Sequence, residues 1–124
     1  MVDKKTRKVV CTDFTKGKTH DYALFKNSRV HFKKDTNTIT DSGYQGVKDI
    51  HNNSTTPQKK SKLHPLTKAQ KRANHQLASD RVLNEHVIGA LKRFRIIAEK
   101  YRNRRKRFGL RFNLIVGIYN LQVG

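Results

Sequence analysis

A chain of 124 residues has room for one domain with a single modest core. Lysine and arginine number 28 against 9 aspartates and glutamates, a formal charge of +19, so self-repulsion is large unless a polyanion or an acidic surface compensates it; nucleic acid is the leading partner. No apolar run approaches the roughly 18 residues of a membrane span and no secretory core follows Met1, so the expected protein is soluble and intracellular.

Residues 8–14 (Lys-Val-Val-Cys-Thr-Asp-Phe) are short and β-branched, which predicts a strand, and the polar stretch 15–18 predicts the loop after it. Cys11 is the one cysteine, without a partner for a bridge or a thiolate metal site, and is expected as a buried small hydrophobe. From Thr19 onward, Tyr22, Leu24, Phe25 and Val30 are spaced for a short amphipathic helix capped by Thr19 or Asp21. Residues 37–40 predict a brief strand ending at Asp41-Ser42-Gly43-Tyr44, with Gly43 permitting a turn, which puts Asp41 at the carboxyl end of a strand. Residues 45–50 suit one helical turn; 51–62 are irregular except for a short extended piece at 55–58. Pro65, Leu66 and Thr67 open a long helix over 69–100, with Thr67 as N-cap and Gly89 as a place for bending or close packing. Residues 101–106 are almost entirely cationic, and Phe108, Phe112, Ile115 and Tyr119 then predict a terminal helix over 108–121.

On the long helix, Arg81, Glu85 and Lys92 fall within roughly 40° of one another, while Leu83, Val87, Ala90, Leu91, Phe94 and Ala98 take the opposite side. A lone glutamate between an arginine and a lysine is how a carboxylate is positioned to hold a metal beside a phosphate. If the helix packs across the sheet, Asp41 and Glu85 share hard divalent cations such as Mg²⁺ or Mn²⁺, which take oxygen ligands and bridge phosphate oxygens. The same spacing also fits a turn cap at Asp41 and an i, i+4 ion pair between Arg81 and Glu85, and both readings stay open. Arg102, Arg104, Arg105, Lys106 and Arg107, with Arg93, Arg95, Lys100 and Arg111 nearby, suit phosphate contacts whose affinity falls steeply with salt; a solvated face is the alternative. The six histidines have no zinc-finger spacing, His20 with Asp21 reads as a capping and packing pair, and no P-loop, dinucleotide fingerprint or nucleophilic serine motif occurs.

Taken in order, Thr19-His20-Asp21 with Leu24 and Phe25, Asp41-Ser42-Gly43-Tyr44-Gln45-Gly46, the stretch from Arg81 through Glu85 and Lys92 to Phe94, and Tyr101-Arg102-Asn103-Arg104-Arg105 resemble the DDE transposases of bacterial insertion sequences. The resemblance extends to the Harbinger class and covers nearly the whole chain. It implies an α/β, partial RNase H-like fold: an incomplete mixed sheet lacking its first strand, followed by long C-terminal helices. It also implies divalent metal bound by catalytic carboxylates for DNA strand cleavage and strand transfer.

Asp41 matches the family's second aspartate and Glu85 its glutamate; Arg81 and Lys92 match the arginine and lysine flanking it, which implies DNA contact, while Ala78 stands where many members have tyrosine. The first catalytic aspartate of the family belongs upstream of the region resembling residues 2–14, and Asp3 and Asp13 do not match its place. Residues 1–124 are therefore expected to be the C-terminal part of a transposase catalytic domain, with 101–111 a basic segment within it, inactive alone. Its expected partners are transposon ends and target DNA, an upstream-frame product and other transposase subunits. The alternative is a non-catalytic basic DNA-binding or regulatory remnant; a ribosome-associated basic protein is a third reading.

Overall fold

The computed structural model describes residues 1–15, 17–99 and 107–124. In chain order the elements are helix α1 (Asp21–Asn27), strand β1 (Thr38–Ile39), a 3₁₀ turn (Ser42–Tyr44), helix α2 (Val47–Ile50), strand β2 (Ser54–Thr55), and helices α3 (Lys68–Lys92), α4 (Arg95–Ala98) and α5 (Phe108–Val123). They form two compact units, one of Met1–Phe14 with Val82–Gly124 and one of Thr15–Arg81; the boundary falls within α3. The class is α/β with helices predominating, the sheet being a single parallel pair with Thr38 opposite Ser54 and Ile39 opposite Thr55.

In the unit of Thr15–Arg81, a short crossover joins the two strands. The Thr38 and Thr40 amides donate to the carbonyls of Asn53 and Thr55, both at 3.0 Å, and the Thr38 and Ser54 hydroxyls bond across the pair at 2.6 Å. Val47, 1% exposed, is its deepest side chain. The same unit contains a chain of ring contacts: Phe25 stacks on Phe32 with centroids 6.2 Å apart, Phe32 meets the His51 ring at 5.3 Å, and Tyr44 lies edge-on to both Tyr22 and Phe25. The extended piece expected at 55–58 is β2, shifted to Ser54–Thr55, because the amide of Gln58 is claimed by the Asn74 side chain rather than by a strand partner. The N-cap of α1 is His20, acting through its backbone alone; neither Thr19 nor Asp21 caps it, and the Thr19 hydroxyl accepts from Thr15 instead. Thr67 does begin α3 in a reciprocal capping box: the Gln70 amide donates to the Thr67 hydroxyl at 3.2 Å and the Thr67 amide to the Gln70 side chain at 2.9 Å.

The other unit is built on α3 and α5. Val87 and Leu91 cluster with Val9, Ile115, Val116 and Tyr119, and Ala90, Phe94, Ile97 and Phe112 pack around them. The long helix stops at Lys92 rather than running to residue 100. Phe94 is extended at φ −75°, ψ 106°, its amide bonding back to Leu91, and the chain restarts as the one-turn α4. Gly89 leaves α3 unbroken and open on its side, so it serves no close packing.

The strand expected at 8–14 does not form. Among the described residues its only ladder contact is an isolated antiparallel bridge from Val9 to Val2, closed by a turn in which Arg7 adopts φ 61°. Beyond it, side chains of α5 take the place of a neighbouring strand. Asn120 accepts from the Val9 amide at 2.8 Å and donates to the Val9 carbonyl at 2.9 Å; the Tyr119 hydroxyl donates to the Arg7 carbonyl, and Asn113 accepts from the Thr12 hydroxyl. A side-chain amide offers one donor and one acceptor, as a strand residue does, and satisfies a buried peptide group without a sheet. Cys11 is half-buried rather than buried, its carbonyl accepting from the Met1 ammonium at 2.8 Å.

Replacing Asn120 with alanine strips both partners from the peptide of buried Val9 and is expected to destabilise the chain by about 1–3 kcal/mol. Leu114→Ala, at a position 68% exposed, is expected to change stability by less than about 0.5 kcal/mol. Urea unfolding of the two variants checks the contrast.

Candidate active site

Asp41 follows β1 by one residue beyond Thr40 and caps the 3₁₀ turn. One carboxylate oxygen accepts from the Gly43 amide at 2.7 Å. The turn is tight at glycine: a Cβ at residue 43 would lie 3.0 Å from the same oxygen, so a larger residue would press the carboxylate aside by a few tenths of an ångström. The other oxygen stands 3.8 Å from the Arg81 guanidinium, both side chains being about two-fifths exposed. A single long contact at that exposure is worth no more than about 1 kcal/mol. Asp41 is thus held in orientation by a short backbone bond and only weakly engaged by charge.

Tyr44 closes the turn, its amide bonded to the Asp41 carbonyl. Burial of its phenol, followed by the negative charges of Asp21 and Asp41, pushes its pKa above the ordinary 10.0. Gly46 sits just beyond at φ 92°, a left-handed conformation that glycine adopts freely, and a Cβ there would meet the Tyr22 hydroxyl at 3.1 Å.

Arg81, the partner of Asp41, lies one turn before Glu85 on α3. Glu85 and Lys92 are exposed and Val87 and Leu91 buried, as the helical spacing predicts. Arg81 and Asp41 belong to the unit of Thr15–Arg81, Glu85 and Lys92 to the other. Arg93, Arg95 and Arg107 are exposed, Arg93 in the turn after α3, Arg95 opening α4 and Arg107 at the N-cap of α5. Arg102, Arg104, Arg105 and Lys106 lie outside the described residues, as does Lys100.

Oxygen donors open to solvent suit a hard divalent cation, and the carboxylates of Asp41 and Glu85 fit by donor type and exposure. Among the described residues no three His, Cys, Asp or Glu side chains converge closely enough to hold a metal ion. Asp3 is fully employed in its turn: one oxygen accepts from the Lys5 amide at 3.1 Å and the other from the Thr6 hydroxyl at 2.6 Å, bonds that hold its carboxyl below the usual value. Asp13 accepts from the neighbouring Phe14 amide. The pairing of Arg81 with Asp41, 40 residues away, has no sequence signal; helical spacing points Arg81 toward Glu85 instead.

One unit thus holds a carboxylate fixed just after a strand, beside an arginine, and the other holds an exposed carboxylate and lysine on α3, all on a polycationic chain. The chain belongs to the DDE superfamily endonucleases, whose family model matches residues 1–120. It is similar to the probable transposase for insertion sequence element IS702 of Microchaete diplosiphon, with 46% identity over 123 residues, 99% of this chain and 45% of that protein. The chain therefore spans less than half the length of that curated relative. No solved structure matches it. No helix among the described residues is long and apolar enough to cross a membrane.

Asn at position 41 keeps the acceptor for the Gly43 amide, so Asp41→Asn is expected to lower stability by less than about 1 kcal/mol, whereas Asp41→Ala loses the cap as well and costs about 1 kcal/mol more. Thermal unfolding separates them. A raised phenol pKa means that the folded chain prefers neutral Tyr44. Its contribution is intact below 10.0 and is lost as pH rises through the higher folded-state value, so Tyr44→Phe is expected to flatten the alkaline fall in stability. Denaturant midpoints measured across the alkaline range check this.

Proposed function

We propose that this chain is part of a transposase in which Asp41 and Glu85 are two of the carboxylates that hold divalent metal for DNA strand cleavage and strand transfer. The observation that carries the reading is the family match over residues 1–120 together with the placement of Asp41 at the end of a strand and Glu85 on the exposed edge of α3. The wider architecture in this reading is RNase H-like, of the Harbinger-like branch, with residues 1–124 as the C-terminal portion; the third carboxylate belongs to sequence outside this chain, which is inactive alone.

Bound Mg²⁺ or Mn²⁺ supplies Lewis-acid activation of the attacking oxygen and neutralises charge on the leaving one. The chain's own residues do the rest. Asp41 would hold the metal through an oxygen pre-oriented by the Gly43 amide, and Arg81, only weakly engaged with that carboxylate, would be available to a phosphate. Lys92, Arg93 and Arg95 bind phosphates along the same stretch, and Arg102, Arg104, Arg105, Lys106 and Arg107 extend that contact in sequence. The partners of this reading are transposon-end and target DNA and the other transposase subunits, and its place in the cell is on the nucleoid.

The test is a graft of this chain into the IS702 transposase in place of the region it matches. The chimera is expected to cleave element-end DNA with Mg²⁺. Asp41→Asn and Glu85→Gln are each expected to reduce cleavage by more than the roughly 10–100-fold that follows loss of an outer partner of a metal ligand. Cleavage that survives Glu85→Gln removes Glu85 from the site. Metal-dependent cleavage by the isolated 124-residue chain contradicts its proposed inactivity alone.

A further inference from the structure

Between Asp49 and Asp80 the sequence contains no aspartate or glutamate, yet it carries Lys59, Lys60, Lys62, Lys68, Lys71 and Arg72. All six are exposed. The loop bearing the first three is shaped and anchored. At one end the Asn74 side chain grips both backbone groups of Gln58, accepting from its amide and donating to its carbonyl, each at 2.9 Å. In the middle the Ser61 amide bonds to the His64 carbonyl at 3.2 Å, and at the other end the Thr67–Gln70 capping box seals the start of α3. On α3, Lys68, Lys71 and Arg72 follow the 3- and 4-residue spacing of one helical face.

We propose that this loop and the first turns of α3 form a surface for the phosphate backbone of duplex DNA, separate in sequence from the cationic tract at 102–107. Charge fixes the partner as a polyanion, and the acid-free run means that little within the segment competes for it. Residue type favours the duplex over a single strand. No phenylalanine, tyrosine or tryptophan occurs between Tyr44 and Phe94, so the surface lacks the rings on which unpaired bases stack. Five of the six cations are lysines, point charges that suit phosphates rather than the forked contacts that read base edges. The inference rests on the reading of the chain as one that handles DNA, but it concerns binding away from Asp41 and Glu85 and is measured without cleavage.

The experiment measures affinity of the 124-residue chain for a fluorescent duplex and for an oligo(dT) strand of equal length, in EDTA, across a salt series. The variants are Lys59→Gln/Lys60→Gln/Lys62→Gln, Lys68→Gln/Lys71→Gln/Arg72→Gln, and a charge-matched comparator, Lys18→Gln/Lys33→Gln/Lys34→Gln, with helix content and unfolding midpoint confirming each fold. Each of the first two triples is expected to weaken duplex binding at least roughly tenfold near 0.1 M salt and to lower the slope of log K against log salt by up to about 2.7, about 0.9 for each phosphate contact. The comparator is expected to weaken it less than about threefold. Equal losses in all three triples, an unchanged slope in the first two, or tighter binding to oligo(dT) than to the duplex overturns the proposal. Because no step needs metal, these outcomes are independent of whether Glu85→Gln abolishes cleavage.

Discussion

The seam of Val87 and Leu91 against Ile115, Val116 and Tyr119 is the interaction on which the unit of α3 and α5 depends. Among its described residues that unit has no sheet, and these contacts, together with Val9, are its core. The seam also determines how α3 presents its polar edge. Each residue turns the helix by about 100°, so with Val87 and Leu91 directed inward, Glu85 and Lys92 must point outward. A one-residue change of register would bring a charged edge into the core. The exposure of Glu85 follows from the burial of its neighbours.

Much of this was legible in the sequence where a local rule acted alone. The threonine and glutamine spacing at the start of α3 made its capping box, the apolar period of α5 made a terminal helix, and the Asp-Ser-Gly-Tyr turn placed Asp41 after a strand. Legibility failed where a distant group outcompeted a local preference. The β-branched run around Val9 has strand composition, but the nearest donor and acceptor of the right geometry are on the Asn120 side chain, 111 residues away. The composition of residues 93–100 is helical, yet Phe94 is extended and packs beside the Val87–Leu91 core, and the helix ends there. Neither outcome is encoded within a window of neighbouring residues.

Charge imposes the second constraint. With 9 acidic side chains against 28 cations, most cations have no carboxylate to pair with. Asp3 is spent in a turn, and Asp21 and Asp41 both lie close enough to Tyr44 to disfavour its ionisation. In the acid-free stretch between Asp49 and Asp80 all six lysines and arginines are exposed. Such a chain is held together by small apolar cores and by side-chain amides while most of its charge faces outward, an arrangement that a polyanion stabilises rather than disturbs.

The contrast between Asp3 and Asp41 separates a structural carboxylate from one suited to chemistry. Both accept a backbone amide in a tight turn. In Asp3 the second oxygen also accepts, from the Thr6 hydroxyl at 2.6 Å, so both oxygens are tied into the turn. In Asp41 the second oxygen faces only a guanidinium 3.8 Å away across partly exposed space, a contact worth little and easily exchanged. One oxygen fixed and one nearly free is the condition under which a carboxylate keeps its direction while changing its partner. Asp41 meets that condition through the Gly43 amide, and the missing side chain at residue 43 lets the carboxylate turn back onto the backbone without crowding.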